Sequence, residues 1–389
     1  MPPLLGDAMT SNRARLSAVL MLLIGGLFAF QTHATPVGGS KNHVTVWVPQ
    51  YYGGRVYVST FDYTVNPATF TQKSLYVGSR HCNPNSVVVQ NGALYVVCNS
   101  DFGGRDVVLV YDAASLKYLK AISGVASDSK NYFTGGSLIG AVFDTHGNLW
   151  VSAYNGNDLL RIPAGRLSSS SPHIDRQVVD SPDSPAGMAI DPSNGSMWVV
   201  GQYAGGIVLN FSDATLNQAG TFLGATALNP SPDYCISNSA GPGCQNVPGL
   251  FNAPEGVAIF DGSIWVSNNG GNAPTGTIVS LDLGAGNQLV GSTYGTTVGS
   301  PFSCPGGMFA AHVGGRTATL WVNDEGYGIA GTDCGSSGAD QGDQLGRVLE
   351  FLPQDLRSHQ AAPTPRNFGN SGRLKTASPG FGGIFVQMD

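Results

Sequence analysis

One short pattern recurs six times along this 389-residue chain, and it limits the fold more than any other feature. A full copy reads Pro185-Ala186-Gly187-Met188-Ala189-Ile190, a turn at Asn194-Gly195, Met197-Trp198-Val199-Val200, and then Ile207-Val208-Leu209-Asn210-Phe211. The segments opening at Pro84-Asn85-Ser86, Ile139-Gly140-Ala141, Pro254-Glu255-Gly256 and Pro305-Gly306-Gly307 follow the same order. The sixth copy is split. Val46-Trp47-Val48 and Arg55-Val56-Tyr57-Val58 match its second and third runs, and Phe381-Gly382-Gly383-Ile384-Phe385-Val386 matches its first. All five tryptophans (Trp47, Trp150, Trp198, Trp265 and Trp321) fall in one column of this alignment, with Tyr95 in the sixth place. Scattered core aromatics would not all fall in one column.

The runs are short, rich in Val, Ile, Tyr and Thr, and bounded by turn residues, as strands are. Glycine, at 54 residues, is about twice its usual share, and no long amphipathic helical pattern occurs. The expected fold is all-β: a six-bladed β-propeller in which the C-terminal strand pairs with the N-terminal ones, closing the ring and leaving no open edge. The aromatic column then fills the wedges between blades. The small residue opening each first strand lets six backbones converge near an axis.

Residues 1–34 read as a signal peptide: Arg13 and Arg15, an apolar run from Leu16 to Phe30, and small residues at Thr32-His33-Ala34. The run is short of the ~20 residues that span a bilayer. Residues 35–389 are expected to form one domain, exported to the periplasm or beyond the cell, without a membrane span. Losing residues 1–34 takes the formal charge from −6 to −7. A mildly acidic, charge-poor surface is a poor partner for nucleic acid.

If strand one of each blade starts on a leading face, every long loop returns to that face: Ser123 to Gly136, Arg166 to Ser184, Thr226 to Asn252, Asp324 to Gly346 and Pro353 to Pro379. Long loops on a rigid scaffold commonly carry binding. The six cysteines collect there too, and local pairing predicts disulfides Cys82–Cys98, Cys235–Cys244 and Cys304–Cys334.

The residue before the small one in strand one should face the channel mouth. Around the ring it is Asn85, Ile139, Ala186, Glu255, Gly306 and Gly382, so only Asn85 and Glu255 offer side-chain oxygens. They either share a hard cation such as Ca²⁺ or are two solvated residues. Gln50, Asn268, Asn269, Asp324 and Glu325, at the ends of second strands, add oxygens on the same face as candidate ligand contacts. No Gly-x-Ser-x-Gly elbow, HExxH or phosphate-cradling loop is present.

These units resemble NHL repeats and, more broadly, the six-bladed superfamily that includes the SMP-30/gluconolactonase-like enzymes; the repeat also resembles that of streptogramin lyase-type propellers. The gluconolactonase resemblance implies a divalent metal at the channel mouth. Its positional logic matches Asn85 and Glu255, with Asp324 as the remaining acidic candidate. Two functions stay open. One is an exported propeller that binds a small molecule, glycan or protein through the leading face. The other is a Ca²⁺-dependent hydrolase, lactonase or lyase acting on a small ester, lactone or sugar acid.

Overall fold

The computed structural model describes residues 43–50, 53–62, 69–100, 104–125, 131–169, 174, 177–180, 184–202, 206–217, 233–238, 244–269, 276–281, 297–298, 302, 304–312, 318–324, 345–352, 356, 366–367, 376–377 and 383–388. The signal-like segment and the third expected disulfide's Cys334 lie outside them.

The described strands form six small sheets. The first holds β1 (His43–Gln50), β2 (Arg55–Asp62) and β3 (Thr69–Tyr76). The second holds β4 (Asn83–Gln90), β5 (Ala93–Asn99), β6 (Val107–Asp112) and β7 (Tyr118–Ile122). In the third are β8 (Leu138–Phe143), β9 (Leu149–Ala153), β10 (Asp158–Ile162) and β11 (Gln177–Asp180). The fourth runs through β12 (Pro185–Ile190), β13 (Met197–Gly201), β14 (Ile207–Phe211), β15 (Tyr234–Ser237) and β16 (Gln245–Asn246), the last pair being parallel. The fifth has β17 (Pro254–Phe260), β18 (Ser263–Asn268), β19 (Thr277–Leu281) and β20 (Thr297–Val298). The sixth has β21 (Pro305–His312), β22 (Ala318–Asp324), β23 (Leu345–Phe351), and β24 (Arg366–Asn367) and β25 (Thr376–Ala377), both on β23. Finally β26 (Phe385–Met388) pairs antiparallel with β1, Val46 opposite Val386 and Trp47 opposite Phe385. The split repeat therefore reunites in the first sheet.

The core is a set of layers between sheets. Each of six apolar clusters joins one sheet to the next, and the aromatic column supplies one member to each. Trp47 packs on Val87 and Leu94 of the second sheet, and Tyr95 on Val151 and Leu160 of the third. Trp150 meets Met197 and Leu209, Trp198 meets Ile264 and Val279, and Trp265 meets Leu320 and Leu349. Trp321 meets Val44, Val46 and Ile384 of the first sheet. All six aromatics are buried. One large ring per layer is how wedge-shaped gaps between twisted sheets are filled without voids.

Near the start of each first strand the backbones approach too closely for a side chain. A Cβ on Gly140 would lie 2.3 Å from the Ala186 carbonyl oxygen, one on Gly187 2.4 Å from that of Glu255, and one on Gly256 2.4 Å from that of Gly306. A Cβ on Gly307 would meet Gly383 Cα at 2.6 Å, and one on Gly383 would meet Ser86 Oγ at 2.7 Å. Two serines from second strands tie this contact together. The Gly256 N–H donates to Ser267 Oγ at 2.7 Å, and that hydroxyl donates to the Gly306 carbonyl at 2.6 Å. Ser152 does the same between Gly140 and Ala186, both at 2.7 Å.

Disulfides Cys82–Cys98 and Cys235–Cys244 are formed, with Cα separations of 4.9 and 4.5 Å. Cys304 is disulfide-bonded as well.

Gly256→Ala should lower stability by about 3 kcal/mol, because the new methyl collides with backbone that cannot move aside. At Gly92, where φ is +73° and nothing lies within 4 Å, alanine should cost only about 1 kcal/mol. Ser267→Ala strands a buried N–H and a buried C=O and should cost roughly 2 kcal/mol. Denaturant melts of the three variants check this order.

Candidate functional site

The same region that brings the backbones together also extrudes one residue from the first strand in five of the six sheets. The pairing of first with second strands slips between Pro84 and Ser86, Leu138 and Ala141, Pro185 and Met188, Pro254 and Gly256, and Pro305 and Met308. Each slip is a bulge with one extra residue on the first strand, a device that re-aims a side chain. In four of the five a proline precedes it, at a strand start where the missing N–H costs nothing. Asn85 and Glu255 sit at two of these bulges. Both are buried, at 1% and 3% exposure, which excludes the solvated alternative.

Glu255 is the end of a hydrogen-bonded chain that crosses three sheets. The Tyr154 hydroxyl, just past β9, donates to Gln202 Oε1 at 3.0 Å; Gln202 Nε2, just past β13, donates to Glu255 Oε1 at 3.0 Å. Burial pushes the Glu255 carboxyl up to about 8, against the opposing pull of the Asn269 and Gln202 amides, which favour its charged form. Burial also raises the Tyr154 phenol; a hydrogen bond with Ser184 lowers it, and the Glu255 charge adds a smaller upward push. Two atoms are left over. Glu255 Oε2 and Asn269 Nδ2 are buried and make no hydrogen bond within the described residues, although the Asn269 side chain lies beside the carboxyl. The Asn269 amide is nonetheless close enough to favour the charged carboxyl, and this buried carboxyl–amide pair is a candidate place for a ligand group.

The other residues singled out from sequence go to different neighbours. Asn85 Nδ2 donates to the Leu138 carbonyl at 3.1 Å, at the edge of the third sheet. Asp324 Oδ1 accepts the Cys304 N–H at 2.6 Å. Asn268 braces the preceding loop: its Oδ1 accepts from Asn252 N–H at 3.1 Å, and its Nδ2 reaches the Leu250 carbonyl at 3.1 Å and Thr277 Oγ1 at 3.2 Å. Gln50 is buried at the end of β1, its side chain against Gly53. Glu325 lies outside the described residues. The structure thus brings Glu255 and Asn269 together, while Asn85 and Asp324 each bond elsewhere.

Of Asn85, Glu255 and Asp324, the residues expected to hold a divalent cation, Glu255 has a carboxyl oxygen, Oε2, outside any hydrogen bond of ordinary geometry among the described residues. No group of three or more His, Cys, Asp or Glu gathers among the described residues. Calcium takes six to eight oxygens, so a site there would need further ligands.

Tyr154 and Gln202 were not among the sequence candidates, yet a signal for them exists. The fourth residue after the aromatic column is Tyr51, Asn99, Tyr154, Gln202, Asn269 and Glu325, a hydrogen-bonding side chain in every copy. Asn99 follows the rule as well, its Nδ2 lying 3.5 Å from the same Leu138 carbonyl that Asn85 bonds.

No protein-family profile and no curated protein matches the chain. Solved structures do. A protein of unknown function from Bacteroides caccae is 11% identical, covers 90% of this chain and 100% of its own, and aligns with a TM-score of 0.52. A Bacteroides fragilis protein assigned as a 6-phosphogluconolactonase is 13% identical, covers 90% and 99%, and aligns with a TM-score of 0.51. Virginiamycin B lyase from Staphylococcus aureus is 11% identical, covers 90% and 93%, and aligns with a TM-score of 0.44. At these identities the likeness concerns the fold. The chain is an all-β protein whose small antiparallel sheets share the fold of these structures.

The native Glu255 keeps its proton up to about pH 8, whereas the unfolded carboxyl loses it near 4.5. Its contribution is therefore least unfavourable below the unfolded value, and stability falls as pH rises through that window and levels off above it. Glu255→Gln, neutral throughout, should remove roughly 3–5 kcal/mol of this pH dependence. Urea denaturation of both proteins across the window checks it; parallel curves would contradict it.

Proposed function

We propose that this chain is an exported six-bladed propeller, closed by the pairing of its last strand with β1, that binds a polyhydroxylated small ligand or glycan end at the leading mouth of the channel. The signal-like segment before residue 35 and the oxidised cysteines support export. No helix among the described residues is long and apolar enough to cross a membrane.

One observation carries the ligand reading: Glu255 Oε2 and Asn269 Nδ2 are buried side by side, and neither makes a hydrogen bond of ordinary geometry among the described residues. With Oε1 accepting from Gln202 and the carboxyl protonated below about pH 8, the Oε2–H and the Asn269 N–H both donate, and a hydroxyl oxygen with two lone pairs can accept both. A sugar hydroxyl placed there satisfies both at once. Gln202 and Tyr154 hold the carboxyl in position through its other oxygen, so the recognising pair is oriented before the ligand arrives.

A metal-assisted hydrolase, lactonase or lyase remains the second reading, and the same uncommitted oxygen of Glu255 favours it. It needs further oxygen ligands besides Glu255.

Calorimetric titration with neutral sugars, sugar acids and their lactones separates the two. Binding without calcium, weakened roughly tenfold or more by Asn269→Ala or Glu255→Ala, supports the first reading. Calcium-dependent thermal stabilisation with turnover of a lactone or ester, lost in Glu255→Gln, supports the second. Silence across the panel in both conditions would overturn them.

A further inference from the structure

Past the bulges, on the side away from Glu255, the first strands of all six sheets line a common cavity of about 390 Å³. It begins at Ser86, Gly187, Gly256 and Gly383, one residue beyond the bulge positions, and continues toward the C-terminal ends of those strands. Its wall carries no Asp, Glu, Lys, Arg or His side chain among the described residues; Ser86 and Gln90 supply the polar side chains.

The residues four positions past the bulge form an apolar tier: Val89, Phe143, Ile190, Ile259 and Ala310, completed in the first sheet by Phe385. All but Val89 are only half-buried, although they lie on the innermost strands. One side of each packs on the core, and the surface left over faces the cavity. Water is a poor filling for such a space, because each ordered water needs two to four polar partners, and this tier offers almost none. Cavities lined in this way stay dry or take up an apolar guest. The volume lies within the range of sites for drug-sized molecules.

We propose that this axial cavity is a second binding site, distinct from the Glu255–Asn269 pair, for a small, uncharged and mainly apolar molecule. The size suits a two-ring aromatic or a branched aliphatic compound. A single polar group on the guest would face the Ser86 hydroxyl at the inner end, while its hydrocarbon part fills the tier. The two halves of the channel then have opposite tastes. The bulge level presents the Glu255 carboxyl and Asn269 amide, and the level beneath presents mainly hydrocarbon, with Ser86 and Gln90 as its polar side chains. The proposal rests on the cavity's lining and does not depend on what the polar pair binds.

The test is fluorescence titration of the exported protein with N-phenyl-1-naphthylamine, an uncharged two-ring probe. Wild type should give saturable, blue-shifted emission with one site per chain, and toluene should displace the probe. Ala310→Phe and Ala189→Phe each add a ring inside the cavity and should weaken binding by roughly tenfold or more, with melting temperature unchanged or raised. Two substitutions from different sheets guard against one of them failing to fold. Glu255→Gln should leave the titration unchanged, which separates this site from the polar one. Leu119→Ser removes an exposed apolar side chain on the outer strand β7 and should also have no effect. The proposal is overturned if the probe does not saturate, or if Ala310→Phe and Ala189→Phe melt cooperatively and still bind it as wild type does. It is equally overturned if Leu119→Ser alone abolishes binding, or if the probe is excluded because the chain's own residues fill the space.

Discussion

The close approach of the first strands near the axis is the constraint on which the rest depends. Gly140, Gly187, Gly256, Gly307 and Gly383 occupy points where a methyl group would collide with the neighbouring strand. Only glycine permits that spacing, and the spacing in turn forces a bulge in each strand that must pass through it. Ser152 and Ser267 satisfy the backbone groups that the bulges leave unpaired, without bringing in water. Between the sheets, the aromatic column supplies one large ring to each apolar layer. The layers need glycine where the first strands meet and a large aromatic in the second strands.

Function follows from what the bulges extrude. At most of them the extruded residue is apolar or has no side chain at all. Glu255 differs, because burial opposes its charge while Gln202 and Asn269 partly compensate. A carboxyl in that balance is a costly residue to keep for structure alone, since a well-packed apolar side chain would be at least as stabilising. The cost points to use. A few ångströms of chain further along, the lining changes from polar to apolar, so the channel is graded along its length.

The repeat made much of this readable in advance. Six copies, one aromatic column and a split unit predicted the pairing of β26 with β1 and the layered core, because hydrophobic period and turn chemistry act locally and repeat with the fold. The pairing of Cys82 with Cys98 and of Cys235 with Cys244 was readable for the same reason, since both pairs lie within one repeat or its loop. The partners of individual polar side chains were less readable. Asn85 and Glu255 occupy equivalent positions in sequence, yet one bonds the Leu138 carbonyl and the other an amide from the preceding sheet. The Glu255 partner, Gln202, lies 53 residues away in the preceding sheet, a pairing that the alignment of repeats does not reveal. The apolar tier also escaped notice, because a strand's alternation does not reveal that one edge of six strands surrounds a common space.

Hydrogen–deuterium exchange on a chain ending at Gly382, compared with the full chain, tests the central claim most directly. If the last strand completes the ring, its loss should expose β1 and also remove protection from β4 and β21, which contact it and lie far from the cut in sequence. If β1, β4 and β21 keep their protection and exchange rises only next to the new C-terminus, the ring is not held by that strand and the account fails.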